Sequence, residues 1–213
     1  RWRIVISSAT RGRLCELFPV IEEFLADRGL ELSPEKTRIV RIEDGFDFLG
    51  QHVRKYNGKL LIKPARKSVT RLLVKVREVL KANPSAPTAA VIRQLNPIIR
   101  GWANYHRHVC SKDTFSYVDW QIWRKVWRWA KRRHPMKSAG WVKDRYFPTQ
   151  GTRQWVFTGV SEGGLDVHLV AAAATPIQRH IKVQGTANPY DPLHSAYFAR
   201  RRANKGRATA LKS

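Results

Sequence analysis

Hydrophobic positions between residues 88 and 110 follow a helical period. Apolar side chains recur there at steps of three and four, which places them on one face of a helix: Val91, Leu95, Ile98, Trp102, Tyr105 and Val109. A second set at the same steps is polar: Arg93, Asn96, Arg100, Asn104 and Arg107. The first set predicts packing into a core, and the second offers planar hydrogen-bond donors to an outside partner such as phosphate. Pro97 allows either a new helix capped by Asn96 or a kinked helix.

The same period predicts helices over residues 13–29, 68–83 and 111–133. Alternating or β-branched runs predict short strands at residues 4–6, 37–42, 46–49, 51–56 and 59–62, with Asn57–Gly58 as a hairpin turn. The Arg/Lys/Ala-rich tail over residues 199–213 is expected to be partly helical at best, or disordered. The predicted fold class is α+β: a small β-sheet with one helix, then a three-helix bundle and a basic irregular C-terminal region.

The charge of the chain is large and unevenly placed. The sequence holds 40 Lys and Arg against 16 Asp and Glu, a net charge of +24. Residues 1–50 hold 8 basic and 9 acidic residues, whereas residues 51–213 hold 32 and 7. Such a field attracts polyanions, so nucleic acid is the expected partner. A membrane partner is not expected, because the sequence has no long uncharged apolar run and no terminal lipidation motif.

The two cysteines, Cys15 and Cys110, lie far apart and form no metal or disulfide motif. We expect two reduced, buried thiols in a cytoplasmic protein. The chain begins at Arg1 and its only methionine is Met136, so we expect a processed piece or a fragment of a longer reading frame.

Four segments, in this order and spacing, resemble the C-terminal half of group II intron reverse transcriptase/maturase proteins: Leu30–Thr37, Phe46–Gly50, Leu95–Arg107 and Trp129–Pro135. The resemblance implies three regions. Residues 1–63 would be the remnant of a polymerase palm, which makes the small sheet palm-derived. Residues 64–135 would be the maturase-specific domain (the thumb, or domain X), and residues 136–213 a basic DNA-binding-like region and tail without an HNH nuclease.

The resemblance also bears on catalysis. In that family a Tyr-Ala-Asp-Asp motif precedes the strand that Ile4–Thr10 resembles, so Trp2 and Arg3 would stand where two aspartates bind divalent metal. An indole and a guanidinium cannot replace carboxylate ligands. We therefore expect no catalytic residue, no metal site and no cofactor, since Mg²⁺ would be needed only by an intact polymerase. Whether the chain has any enzymatic activity stays open.

Two further features belong to the resemblance. Lys36 resembles a palm-loop lysine near the nucleotide phosphates, and a primer-grip hairpin is resembled by Phe46, Asp47, Phe48, Leu49 and Gly50. Without the aspartates, we expect both to act as scaffold. The histidines of the C-terminal region are scattered and no cysteine follows Cys110, which predicts surface or structural roles for His168, His180 and His194.

Residues 124–153 hold ten Lys and Arg and one acid, interleaved with aromatic residues. Basic side chains are expected to bind RNA phosphates, and exposed rings to stack on unpaired bases. The helical step favours core positions for Trp120, Trp123 and Trp127. The predicted RNA-binding residues are Arg71, Lys75, Arg93, Arg100, Asn104, Arg107, Arg124, Lys125, Arg128, Lys131, Arg132, Arg133, Lys137, Lys143 and Arg145.

The predicted function is that of an RNA-binding maturase module. It would bind structured RNA, above all group II intron RNA, and stabilise its active fold to assist splicing. Two alternatives are kept: a thumb and primer-grip piece of a split or truncated reverse transcriptase, and an inactive remnant of a mobile genetic element. DNA and a separate reverse-transcriptase N-terminal half are further candidate partners.

Overall fold

A computed structural model describes residues 4–179 and 183–210, with side chains over residues 4–179 and 183–203. The chain divides into two units, Arg1–Gln178 and Arg179–Ser213. Residues Arg1 to Arg3, where the resemblance places the altered metal motif, lie outside the described residues, and so does His180.

The first helix, α1 (Arg11–Ala26), confirms the helix predicted at 13–29 with slightly earlier bounds. The hydroxyl of Thr10 caps it by accepting from the backbone N–H of Arg13. Leu25 is its one buried residue, so the expected burial of Cys15 is wrong: that thiol is exposed, as is Cys110. The strands predicted at residues 4–6 and 37–42 are also wrong, because within the described chain neither segment has a neighbouring strand to pair with.

Three strands form an antiparallel sheet in the order β1 (Phe46–Phe48), β2 (Gln51–Tyr56), β3 (Lys59–Pro64). Two-residue turns connect them, since Phe48 pairs with Gln51 and Tyr56 pairs with Lys59. The Asn57–Gly58 turn is confirmed, with φ of 45° and 80°, the positive values that such hairpin turns require.

The central helices are α2 (Arg66–Ala82), α3 (Thr88–His106) and α4 (Lys112–Arg133). Helix α2 packs against both of the others, and the three contribute to one core. Helix α3 runs through Pro97 without a new start, so a fresh helix capped by Asn96 is excluded. Together with the sheet, these helices confirm the α+β class; their identity as a thumb rests on the resemblance.

The buried face of α3 is rotated from the predicted one. Its fully buried side chains are Val91, Ile92, Leu95, Ile99, Ala103 and His106, whereas Tyr105 is 50% exposed. The rotation follows from what covers the helix, because α3 packs against α2 on one side and against a second, smaller sheet on another. Tyr105, predicted to hold the bundle together, lies at the edge of this packing.

The smaller sheet belongs to the region after residue 136, where the sequence pattern weakens. This region contains α5 (Ala139–Tyr146), the antiparallel strands β4 (Thr158–Val160) and β5 (Asp166–His168) that form the smaller sheet, and a 3-10 turn at Ala172–Ala174. Gly159 allows β4 to approach α3, since a Cβ there would lie 2.5 Å from the backbone nitrogen of Ala89.

The second unit holds a 3-10 turn at Pro192–His194 followed by α6 (Ser195–Ala210). The basic tail is therefore helical over more of its length than expected. None of the helices in the described ranges is long and apolar enough to span a bilayer.

Candidate nucleic-acid interface

A cluster of basic side chains forms where α2 packs against α4. Burial lowers the pKa of Lys125, and repulsion by Arg77, Arg128 and Arg124 lowers it further. Arg77 lies on α2 and the others on α4, so the packing of the two helices brings their charges together. We call Arg77, Arg124, Lys125 and Arg128 the basic cluster. The three arginines raise the electrostatic energy of the charged Lys125 in the free protein, and an anion bound among them would relieve this repulsion.

The basic charges of residues 124–153 are almost uncompensated. Within the described part of the chain, the one ion pair that any of the ten makes joins Lys143 to Asp144, at 3.6 Å. Most of the predicted RNA-binding residues here are exposed, and Arg124, Lys125, Arg133 and Lys143 are half-buried. The exposed ones are Arg128, Lys131, Arg132, Lys137 and Arg145.

Arg133 is used within the protein. Its guanidinium donates to the carbonyls of Ser85, at 3.2 Å, and Ala86, and lies 4.6 Å from the ring centre of Trp129. These contacts close the loop between α2 and α3 over the end of α4. Packing therefore accounts for an arginine at this position.

The polar residues predicted on one face of α3 differ in their exposure to solvent. Arg93, Arg100 and Asn104 are exposed, whereas Arg107 is half-buried. Asn96, placed by the helical step on the outward face, is buried: its amide donates to the carbonyl of His168 and accepts from the N–H of Val170, both at 3.0 Å. The expectation of an outward Asn96 is wrong, because the smaller sheet covers this part of α3.

On α2, the predicted residues Arg71 and Lys75 are exposed. Arg77, which the structure adds to the site, was absent from the predicted set. Its outward position follows from the helical period, but its proximity to Lys125 depends on how two helices pack, for which the sequence gives no signal.

The aromatic residues of α4 are less buried than predicted. Trp120 is 51% exposed, so its expected core position is wrong, while Trp123 and Trp127 are half-buried against the core. Their rings lie parallel, with centroids 5.6 Å apart and planes 15° apart. Trp155, in the loop before β4, contacts both of them. The sequence pattern did not single out Trp155.

A buried polar network links α2 and α3. The indole N–H of Trp102 donates to the hydroxyl of Ser68, and that hydroxyl lies 3.0 Å from Nε2 of His106. Burial, with a smaller contribution from His108, lowers the pKa of His106 to about 4, so the ring is neutral at pH 7. In the neutral ring the tautomer decides whether Nε2 accepts from this hydroxyl or donates to it, while the hydroxyl oxygen accepts from Trp102.

The sheet is held to α3 beside this network. The hydroxyl of Tyr105 donates to the carbonyl of Leu49 at 2.6 Å, and the amide of Gln51 lies 2.9 Å from Nε2 of His108. The hairpin that resembles a primer grip thus has a fixed position on α3. Of its residues, Asp47 and Leu49 are exposed and Phe46, Phe48 and Gly50 are half-buried; Lys36 is exposed.

Asp119 anchors the 3-10 turn to α4. Its two carboxylate oxygens accept from the N–H groups of Ala172, at 2.7 Å, and Ala173, at 2.8 Å. Lys112 donates to the carbonyl of Ala173 at 2.6 Å. Burial raises the pKa of Asp119, and the two N–H donors act in the opposite direction.

The described residues contain no group of three or more His, Cys, Asp or Glu side chains arranged to hold a metal ion. His168 contacts Gln150 and, at 3.1 Å, the hydroxyl of Thr158, while His194 lies 3.1 Å from Asp191. These two histidines have structural partners.

Comparison with known proteins identifies part of the chain. Residues 69–147 match the family described as group II intron, maturase-specific domain. The match runs from α2 to the end of α5 and contains the whole basic cluster. No curated protein matches the chain. Residues 69–147 are thus similar to the group II intron maturase-specific domain, and this similarity relates the region to group II intron maturases.

Proposed function

We propose that this protein is an RNA-binding maturase module that binds group II intron RNA and stabilises its active fold, leaving the splicing chemistry to the RNA. The observation that carries the proposal is the basic cluster of α2 and α4 inside the matched domain. Three of its four charges repel Lys125, and within the described residues none of the four makes an ion pair. Phosphate groups are the partner that makes such an arrangement favourable.

Competition binding tests the proposal. Labelled group II intron RNA is bound by the protein and displaced by unlabelled intron RNA or by a structured RNA of equal length. The proposal predicts that the intron RNA competes at least tenfold better, and that the protein accelerates splicing of the intron. Equal competition together with an unchanged splicing rate would leave only general polyanion binding.

A second candidate function is favoured by α1. Its apolar side chains Leu17, Val20 and Phe24 are exposed, a face that a separate reverse-transcriptase half could cover. In this alternative the chain supplies the thumb and primer-grip hairpin to a polymerase formed from two pieces. Primer extension decides between the two: activity that requires both pieces supports the alternative, and its absence from the mixture rejects it.

A further inference from the structure

We propose that Trp120, Trp123, Trp127 and Trp155 form a stacking platform for unpaired RNA bases. The inference deepens the proposed function, on which it rests for the nature of the polymer, and adds a site for its bases. In the proposed function the basic residues bind phosphates and carry no preference for paired or unpaired RNA. The platform would provide that preference.

Three of the four rings, those of Trp123, Trp127 and Trp155, contact one another, and Trp120 lies one turn before Trp123 and two turns before Trp127 on α4. Trp123 and Trp127 lie on successive turns of α4 and rest on Phe147, with centroid distances of 6.1 and 5.2 Å. Trp155 packs at 5.9 Å from Trp123 and 5.7 Å from Trp127. The rings of Trp123 and Trp127 are half-buried, whereas Trp120 is 51% and Trp155 38% exposed. Rigid rings with open faces lose little entropy when a base stacks on them.

The backbone at Trp155 points to the same role. Its φ is +58°, a left-handed conformation that is a steric outlier for a large aromatic residue. Backbone strain of this kind persists where the surrounding structure imposes it, and it concentrates at binding and active sites. Here it places Trp155 against the rings of Trp123 and Trp127 and leaves the residue 38% exposed.

The charges around the rings select the ligand. The Arg124 guanidinium lies 4.6 Å from the ring centre of Trp120, and the Lys143 ammonium lies 5.6 Å from that of Trp155. Because a cation already lies over one face of each of these two rings, a cationic ligand would be repelled. A nucleotide fits both features: its base stacks on an indole or guanidinium plane, and its phosphate meets the neighbouring cations.

The test compares a single-stranded RNA oligonucleotide with the same oligonucleotide carrying abasic central positions. The unmutated 213-residue chain is expected to bind the abasic strand more weakly by about tenfold or more, the size that stacking of one base contributes. In W120L and W155L that difference should shrink toward onefold, with the salt dependence of binding unchanged. W120F and W155F, which keep an aromatic ring, should restore it.

Trp141 provides the matched control. It is 37% exposed and has a lysine, Lys137, 5.6 Å from its ring centre, like Trp155, but its ring contacts that of His134, whereas the ring of Trp155 contacts Trp123 and Trp127. W141L should keep the wild-type difference between the two strands. An equal loss in W141L, or a wild-type protein that binds both strands equally, would overturn the platform.

The two proposals fail in different ways. Loss of intron preference with base discrimination intact rejects the maturase function and leaves a single-strand binding site. Intron preference without base discrimination rejects the platform alone.

Discussion

Leu49 occupies a backbone position that favours asparagine or glycine. Its φ is +46°, it is 54% exposed, and Gly50 follows it in the turn, whereas the neighbouring hairpin uses Asn57–Gly58 at the same positions. Replacing Leu49 with Asn removes strain and little buried surface. We expect L49N to raise the free energy of unfolding by about 0.5–1 kcal/mol in urea denaturation. N57L should lower it by a similar amount, and a destabilised L49N would contradict this reason.

His106 couples stability to pH. Its pKa is about 4 in the folded protein and about 6.5 in the unfolded chain, so the unfolded state binds an extra proton between these values. Stability from this group is complete above pH 6.5 and declines as the pH falls toward 4, by roughly 3 kcal/mol in all.

Denaturation of wild type and H106Q at pH 7, 5.5 and 4 tests this coupling. The variant should lack that decline, whatever its stability at pH 7, because glutamine does not titrate. Parallel curves for the two proteins would show that the pKa of His106 is the same in the folded and unfolded states.

The sequence predicted some single residues and not others. Asn57–Gly58 was predictable because its conformational preference is local. Leu49 was not, since its positive φ is imposed by closure of the hairpin and by the bond from Tyr105. Asn96 was misjudged for a related reason: the sequence does not show which buried groups a polar side chain will contact.

At the scale of elements, Asp119 joins α4 to the 3-10 turn. Its carboxylate satisfies two backbone N–H groups that would otherwise be buried without an acceptor. We expect D119A to lower the free energy of unfolding by about 3 kcal/mol, from two charge-assisted bonds of about 1.5 kcal/mol each.

Hydrogen exchange provides the local readout for Asp119. The amides of Ala172 and Ala173 should lose protection in D119A, while α2 keeps its own. D113N, at an exposed carboxylate in the first turn of α4, is the control and should leave both amides protected. Protected amides in D119A would mean that other contacts hold the turn.

The helices were predicted well and their orientation less well. The period of three and four found α2, α3 and α4, because each buries an apolar face. It misplaced the buried face of α3, because Trp102 and Tyr105 count as apolar although each makes a hydrogen bond at the edge of the core. Two segments without a period, β4 and β5, pack against α3, which is distant in sequence.

At the scale of the molecule, the uneven charge of the sequence predicts nucleic acid as the partner, and this stays a prediction. It does not indicate where the nucleic acid would bind, because the basic cluster joins Arg77 to residues about fifty positions later. Packing of α2 on α4 creates this site, and a linear pattern cannot show it. The same holds for the platform, where Trp155 joins rings from α4.

The salt dependence of RNA binding by R77Q/K125Q/R128Q is the most direct test of the basic cluster. Each phosphate contact contributes about 0.7–0.9 to the slope of log affinity against log salt concentration, so the triple variant should show a slope shallower by roughly 2–3. R11Q/R13Q, which removes two exposed charges from α1, should keep the wild-type slope. An unchanged slope in the triple variant would contradict RNA binding at this cluster.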